Sequence, residues 1–463
     1  MSFTSLSFLV FFPIVVLLYY LLPKKIKKCW LFAAGFYFYA CLDKRFLMLL
    51  LLLIFISYVG GILIDRGKRK VLAQKIGLSV CIAALAGTLL FFKFNSLIFS
   101  SLNILLPVGM SFYILQMIAY LLDIYRGNIR CEKNIVDYGL LISFFPKIIS
   151  GPLVVNKRFL EQIKTPSVFD ENKVQAGLLM MLLGFFEKIV VAETLSQTVK
   201  AIFENYQDLH ALYLLIGAAG YSLYIYCDFC GYSHIAIGGA KVLGVEMEDN
   251  FRQPYFALSI QDFWHRWHIS FSNWLRDYIY IPLGGNRKGT IKKYANLFLV
   301  FLISGLWHGT GWHYIFWGML HGTYQILEDM AGKISHITLW NGIRRIRTFI
   351  LVTFAWIFFA SPSLREGTYY IRSMLTQWNQ STEGALIAEI GLAPIQLVCL
   401  VLSLIVLCMI DICREKNKPL GTWIVGTKTS VRWGICLFAC LFIILVAFRN
   451  FGQEASDFIY AQF

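Results

Sequence analysis

Long apolar stretches separated by short basic segments run along almost the whole chain. A helix needs about 20 mostly apolar residues to cross the hydrocarbon core of a bilayer. Stretches of this kind occupy residues 3–22, 30–42 with 46–64, 71–92, 104–124, 136–155, 173–197, 208–227, 293–307, 312–330, 346–361, 392–411 and 432–448. The pattern predicts an all-α polytopic membrane protein with about 11 to 13 membrane helices. Several stretches contain glycine or proline, which predicts broken or re-entrant segments that are buried in protein or line a cavity.

Composition supports the membrane class. Apolar residues make up 58% of the 463 residues and charged residues only 15%, whereas soluble domains carry about 25% charged residues. The net charge is +15, and its Lys and Arg stand in short runs between apolar stretches, as expected for cytoplasmic loops. The first run, Lys24–Lys28, follows the first stretch, so the N-terminus is predicted to face outside. A soluble, disordered, collagen-like, disulfide-stabilised or nucleic-acid-binding protein is excluded.

The chain shows no sign of a removable leader or of separate domains. Ser2–Leu22 lacks a basic start and a small-residue cleavage site, so it is interpreted as a first membrane span. The 11 cysteines are scattered, mostly within apolar runs, where a thiol behaves as a small hydrophobic group. Without an internal repeat or a low-complexity linker, residues 1–463 are predicted to form a single membrane domain.

Residues 245–292 interrupt the apolar pattern for almost fifty positions. Aromatic side chains alternate there with charges such as Asp262, Arg266, Arg276 and Asp277. This mixture is typical of short amphipathic helices at or within the membrane boundary.

Histidine is concentrated in one part of the chain. Five of the eight histidines fall between residues 265 and 321, namely His265, His268, His308, His313 and His321. Ionisable residues in membrane segments are costly and usually functional. Neutral histidine titrates near working pH and is the commonest general base. The cluster therefore predicts proton transfer, such as deprotonation of a hydroxyl that attacks a thioester.

Spacing predicts which histidines can cooperate. His265 and His268 are three residues apart, which places them on one face of a helix. His308 and His321 are about 220° apart around a regular helix, so they meet only where the helix breaks, and Gly309 offers such a break. His308 can meet His268 from a different segment.

A metal site and a transporter are the two alternatives to acyl transfer, and both are disfavoured. Cys227-x2-Cys230-x3-His234 contains metal-ligand types, but no second ligand pair follows, so no metal site is predicted. Asp228 within this run is interpreted as a buried structural or pore-lining carboxylate. A transporter without covalent chemistry is compatible with the composition, although the two related halves typical of transporters are not found.

Several motifs together resemble a known family. Trp307-His308-Gly309, followed by Trp317-Gly318 and His321-Gly322, resembles the signature of membrane-bound O-acyltransferases (MBOAT). Residues 262–270, 274–278 and 281–287 resemble more specifically its alginate O-acetyltransferase membrane-subunit (AlgI-like) branch. Further agreements are at residues 111–113, 123–127, 145–146, 150–152, 228–233 and 250–255. The resemblance extends from about residue 3 to residue 360 and implies a ring of helices around a central tunnel.

The resemblance also implies roles for individual residues. His308 matches the essential catalytic histidine of the family, and His268, within Arg-Trp-His, matches a second functional histidine. His321 matches a recurrent family position. Other predicted tunnel residues are His265, Trp307, Asp228 and Asn273.

The last six residues, 458–463, read Phe-Ile-Tyr-Ala-Gln-Phe. This ending resembles the Phe-Ile-Tyr-x-x-Phe terminus of the small (DltX-like) membrane protein that accompanies D-alanyl transfer. There the tyrosine is a proposed acyl relay, so Tyr460 is a candidate third catalytic residue. The alternative is an aromatic anchor at the membrane interface.

The resemblance predicts transfer of an acyl group, most readily acetyl, from a cytoplasmic thioester toward an extracellular polysaccharide. It implies no tightly bound cofactor, with acetyl-CoA or an acyl carrier protein as donor. The implied acceptor is an extracellular or periplasmic SGNH-like O-acetyltransferase, and the implied location is the bacterial plasma membrane. D-alanyl transfer to a teichoic-type polymer is the alternative.

Overall fold

The computed structural model describes residues 1–67, 70–98, 105–153, 157–332, 340–380, 393–418 and 420–449. Every regular element in these ranges is helical, and they contain no strand. The predicted all-α class is therefore confirmed. Tyr460 and the rest of the predicted C-terminal motif lie outside the described residues.

Nineteen α-helices make up the described fold. In chain order, α1 to α19 are Leu6–Leu21, Lys24–Asp43, Leu47–Arg66, Val71–Ile98, Met110–Arg126, Ile135–Ser143, Lys157–Lys164, Glu171–Phe185, Glu193–Glu204, Ala211–Val242, Ile260–Arg266, Ile269–Leu275, Thr290–His308, Trp312–Gly332, Asn341–Ala360, Leu364–Thr376, Pro394–Glu415, Leu420–Gly426 and Thr429–Arg449. Short π-helices follow α8 at Phe186–Ala192 and α12 at Arg276–Tyr280.

Six helical stretches in the described ranges are long and apolar enough to cross a membrane. They are Lys24–Arg66, Val71–Asn95, Glu171–Glu204, Ala211–Val242, Pro394–Glu415 and Thr429–Arg449. Together they identify a multi-pass membrane protein. The higher number of membrane helices expected from the sequence includes shorter or more polar helices such as α13 to α15, and it stays a prediction.

The described chain divides into two compact units. Unit 1 contains Met1–Leu182 and Tyr232–Asp249, and unit 2 contains Leu183–Gly231 and the described part of Asn250–Ile459. That the two units act as a single membrane domain stays a prediction.

Unit 1 is held together by aromatic packing and by a close helix contact. The rings of Phe3 and Tyr232 stack at 4.6 Å between centroids, and Phe38 lies against both Phe3 and Phe145. Helices α2 and α6 approach closely at Gly35, where a side chain would collide with the backbone of Ser143.

Unit 2 is centred on a helical hairpin formed by α13 and α14. The two helices are antiparallel neighbours and touch at two glycines. A side chain at Gly305 would overlap the carbonyl of Tyr314, and one at Gly318 would overlap the carbonyl of Phe301. Helices α11 and α15 also contact α14. The hairpin thus forms a closely packed base for the side chains at its turn.

Two helices differ in length from the stretches that the apolar pattern predicts. The predicted stretch 136–155 stops being helical after Ser143, because Pro146 disfavours helical backbone at the residue before it. In contrast, α10 continues past Asp228 to Val242. This carboxylate is paired with Lys188 in the π-helix of the same unit, so the charge does not end the helix.

Candidate active site

His268 lies in the turn between α11 and α12. Its backbone is left-handed, with φ 42° and ψ 54°, a conformation that costs energy in a non-glycine residue and often marks a functional position. Helix α11 ends at Arg266, and Trp267 is extended. The prediction that His265 and His268 share a helix face was therefore wrong, because the helix that carries His265 ends before His268.

Hydrogen bonds from Asn250 hold the His268 turn in place. The Asn250 carbonyl accepts from the backbone N–H of Ile269 at 3.0 Å. Its side-chain oxygen accepts from the Ser270 N–H at 3.2 Å and from the Ser270 hydroxyl at 2.9 Å. These bonds fix the residues immediately after His268, which explains how the strained backbone persists.

His308 is the last residue of α13 and is 3% exposed. Its ring lies 5.1 Å from both Trp317 and Phe359 between centroids and 4.8 Å from Trp307. The helix stops here, and α14 begins at Trp312. The predicted break between His308 and His321 is confirmed, and it turns His308 toward the aromatic side chains of the returning helix.

Two aromatic rings connect His268 with His308. Phe271 is 5.0 Å from the ring of His268 and 6.2 Å from that of His308. Trp307 is 6.3 Å from His268 and 4.3 Å from Phe271. The structure therefore brings together the two histidines of the predicted site from separate segments, with Phe271 and Trp307 beside them.

His321 lies one helical turn after Trp317 on α14 and is fully buried. Its ring is 5.0 Å from that of Trp317. The indole N–H of Trp264, in α11, donates to Nδ1 of His321 at 3.2 Å. Since Trp317 also contacts His308, His321 belongs to the same aromatic cluster, although thirteen residues separate it from His308 along the chain.

The other predicted tunnel residues are placed differently. Trp307 is buried beside His308, and Asn273 is half-buried in α12. Asp228 is buried in the ion pair with Lys188, which agrees with the structural alternative. His265 is exposed on α11, so it does not join the buried cluster.

Charged side chains fasten the short helix α11 to its neighbours. Arg266 donates to Asp262 at 2.8 Å and to Glu415, in α17, at 2.7 Å. Although partial burial opposes the charge, these carboxylates raise the pKa of Arg266. At the other end, the Glu328 carboxylate accepts from the Ile260 N–H at 2.7 Å. Both ends of the helix that carries Trp264 are thus fixed.

Four side chains of this site were not predicted from the sequence. Trp264, Phe271, Trp356 and Phe359 line the histidine cluster. The high aromatic content of residues 245–292 was a signal for Trp264 and Phe271. Trp356 and Phe359 are in α15, an apolar helix whose sequence gives no hint that these rings face a polar group.

The chemistry available here is that of neutral imidazole in an apolar enclosure. His268 lies outside the six apolar stretches, and burial lowers its pKa to about 3, so its ring is uncharged at working pH. A neutral imidazole can take a proton from a hydroxyl and return it to a leaving group. Enclosure by aromatic rings strengthens the electrostatic interactions of that step.

The fold and the site define an integral membrane enzyme with buried histidines. The family model described as MBOAT, membrane-bound O-acyltransferase family, matches residues 132–365. A probable alginate O-acetylase of Pseudomonas putida is 33% identical, with all of both chains aligned. A peptidoglycan O-acetyltransferase of Helicobacter pylori is 32% identical over 80% of this chain and 79% of its own.

A teichoic acid D-alanyltransferase of Bacillus subtilis is more distant, at 27% identity over 56% of this chain and 68% of its own. The chain belongs to the membrane-bound O-acyltransferase family. It is an O-acyltransferase and a multi-pass protein of the cell membrane.

Proposed function

We propose that this protein transfers an acetyl group from a cytoplasmic thioester across the membrane, toward an O-acetylation system that modifies an extracellular polysaccharide. The observation that carries the proposal is His308, which is buried at the end of α13 among Trp307, Trp317 and Phe359. The likeness to a probable alginate O-acetylase and to a peptidoglycan O-acetyltransferase supports acetyl as the group and an envelope polymer as its destination.

His308 acts in this proposal as the general base. Its imidazole takes the proton of the acceptor hydroxyl while the hydroxyl oxygen attacks the thioester carbonyl carbon. The tetrahedral intermediate then collapses, the carbon–sulfur bond breaks, and the imidazolium returns the proton to the departing thiolate. His268, with Phe271 between the two rings, supports the position of His308.

The proposed partners follow from this reaction. The donor is acetyl-CoA or an acetylated carrier protein on the cytoplasmic side, and no tightly bound cofactor takes part. The acceptor is an SGNH-like transferase outside the membrane, which passes the group to the polysaccharide. Tyr460 is proposed as an acyl relay between the two, with an anchoring role as the alternative.

D-alanyl transfer to a teichoic-type polymer is the second candidate function. The observation in its favour is the likeness to the teichoic acid D-alanyltransferase of Bacillus subtilis. That relative aligns with little more than half of this chain, whereas the alginate and peptidoglycan relatives align with four fifths or more. Acetyl is therefore the preferred acyl group.

Oriented, sealed vesicles that hold the protein, its extracellular partner and the acceptor glycan test this proposal. Labelled acetyl-CoA is supplied only at the cytoplasmic face. We expect label in the outer glycan with wild type and none with His308→Ala, because the base is lost. His265→Ala is the matched control, since His265 is exposed on α11, and it should retain transfer.

Three further outcomes separate the alternatives. Transfer by a folded His308→Ala protein contradicts the assignment of the base. Transfer only from a D-alanyl-loaded carrier protein, with none from acetyl donors, favours the second function. Tyr460→Phe in the same assay abolishes labelling if Tyr460 is a relay and leaves it intact if the tail is an anchor.

A further inference from the structure

His321 has a fixed tautomer, because its hydrogen bond to Trp264 has only one possible direction. The indole N–H is a donor and has no lone pair to accept with. Nδ1 of His321, 3.2 Å away, must therefore be the acceptor. A neutral imidazole carries one proton, which is consequently on Nε2. His321 thus presents its only N–H at Nε2, where it can donate a hydrogen bond.

This arrangement makes His321 unsuitable as a base. Protonation at Nδ1 would turn two donors toward each other across the bond from Trp264, and Nε2 already carries the proton. A neutral imidazole held in this state polarises an oxygen atom instead of removing a proton. The roles of His308 and His321 are therefore different although both contact Trp317.

Three buried N–H donors in this cluster have no acceptor among the described residues. They are Nε2 of His321 and the indole Nε1 atoms of Trp317 and Trp356. All three side chains are at most 1% exposed. A buried donor without an acceptor is costly, so native proteins almost always satisfy it with protein, water or ligand.

The rings that carry the three donors are neighbours in space. The rings of Trp317 and Trp356 stack at 5.5 Å between centroids, and the ring of His321 is 5.0 Å from Trp317 and 6.4 Å from Trp356. Trp317 is in turn 5.1 Å from His308. The donors come from two helices, α14 and α15, and they lie beside the proposed base.

We propose that His321, Trp317 and Trp356 form a donor site for the carbonyl oxygen of the acyl group that is being transferred. This inference rests on the proposed function. As the hydroxyl oxygen attacks the carbonyl carbon, the electron pair of the carbonyl bond moves to this oxygen, which becomes an oxyanion. The N–H donors stabilise that charge until the carbon–sulfur bond breaks and the pair returns. Preorganised donors in an enclosed site serve this purpose without reorganisation.

The role predicts a specific change in kinetics. Loss of one donor to a developing oxyanion lowers kcat by roughly 100- to 1,000-fold, whereas the ground-state affinity changes little. His321→Phe keeps a ring of similar shape and removes the N–H. His321→Gln retains an amide N–H at a comparable distance from the backbone. We therefore expect a large loss of kcat for His321→Phe and a recovery of at least about tenfold for His321→Gln.

Trp317→Phe and Trp356→Phe test the same site by removing one indole N–H each. Phe301→Leu is the packing control, because Phe301 lies 6.2 Å from the His321 ring and carries no donor. The full chain in vesicles, with its extracellular partner and labelled acetyl-CoA or acetylated carrier protein, provides kcat and KM for each variant. Thermal unfolding of the purified variants identifies any that fail to fold. The conclusion then rests on the donor variants that do fold.

Each outcome decides between the donor site and its alternatives. A large fall in kcat for the donor variants, with KM within about threefold of wild type and a normal Phe301→Leu, supports the site. Folded His321→Phe and Trp317→Phe proteins with wild-type kcat overturn it, and the donors then only hold water. A rise in KM alone also overturns it. If wild type transfers no acetyl label from either donor, the proposed function fails, and the donor site fails with it.

Discussion

At the scale of single residues, unit 2 contains a buried pair of opposite charges within apolar helical stretches. Lys188 and Asp228 are bonded to each other, with side chains 6% and 0% exposed. Both belong to apolar helical stretches long enough to cross the membrane. Isolated charges at such positions are costly, so each residue is tolerated because of the other.

Removing one member of this pair should destabilise the protein more than removing both. We expect Asp228→Ala to lower the free energy of unfolding by about 3–5 kcal/mol, since it removes the carboxylate that is paired with the buried Lys188 ammonium. The double variant Lys188→Met with Asp228→Leu should recover most of that loss. Thermal unfolding in detergent measures both. Equal destabilisation by the single and the double variant would show that the pair is not the cause.

A second feature at this scale is the hydrogen bond by which Trp264 determines the tautomer of His321. Its indole N–H is bonded to Nδ1 of His321, and replacing it with Phe removes the constraint on the tautomer. Trp264→Phe should therefore lower kcat without an equal change in KM, and by less than His321→Phe does. Steady-state kinetics of the two variants side by side provide the comparison. A larger effect of Trp264→Phe would indicate a packing role.

At the scale of elements, the α13–α14 hairpin brings the site residues together through close backbone contact. Gly318 faces the carbonyl of Phe301, and its location one residue after Trp317 ties the hairpin contact to the active-site cluster. Small residues at such crossings allow helices in membranes to approach closely. The glycines of this hairpin therefore serve packing, whereas His268 is a non-glycine residue with a positive φ.

A side chain at Gly318 should separate the two helices. Gly318→Val is expected to cost about 1–3 kcal/mol of stability and to reduce acyl transfer, because Trp317 moves with its helix. Gly87→Ala in α4 is the matched control. Nothing lies within 4 Å of its added methyl group, so stability should be unchanged or slightly raised. Thermal unfolding and transfer assays of both variants report the result, and a stable, fully active Gly318→Val protein would contradict the packing argument.

At the scale of the whole molecule, its outer surface is strongly apolar where the long helices are described. Helix α19 is the extreme case, with Phe438 73% and Leu445 68% exposed. Such a surface fits contact with lipid, since a bilayer covers apolar area along helices of this length. The basic runs between the helices predict the orientation.

The orientation can be tested by labelling single cysteines with a membrane-impermeant maleimide in a variant that lacks the native cysteines. A cysteine at Ser2 should react from outside, since the first basic run follows α1. A cysteine at Lys288, an exposed position in a basic loop, should react only after the membrane is opened. Reaction of the Lys288 position in intact cells would reverse the predicted topology.

The sequence alone determined the class of the protein, most helix positions and the family. Hydropathy and charge act over about 20 residues, the thickness of the bilayer, so a single stretch of chain contains the information. The motif around His308 is similarly local. These features can be predicted because they depend on residues that are close together along the chain and not on contacts between distant segments.

Only the tertiary structure decided how the histidines are placed. The left-handed backbone of His268 depends on Asn250, eighteen residues earlier, and the tautomer of His321 depends on Trp264, fifty-seven residues away. His265, equally prominent in the sequence, is exposed on α11, and this helix ends at Arg266, before His268. Contacts of this range are set by packing between helices, and no periodicity along one helix encodes them.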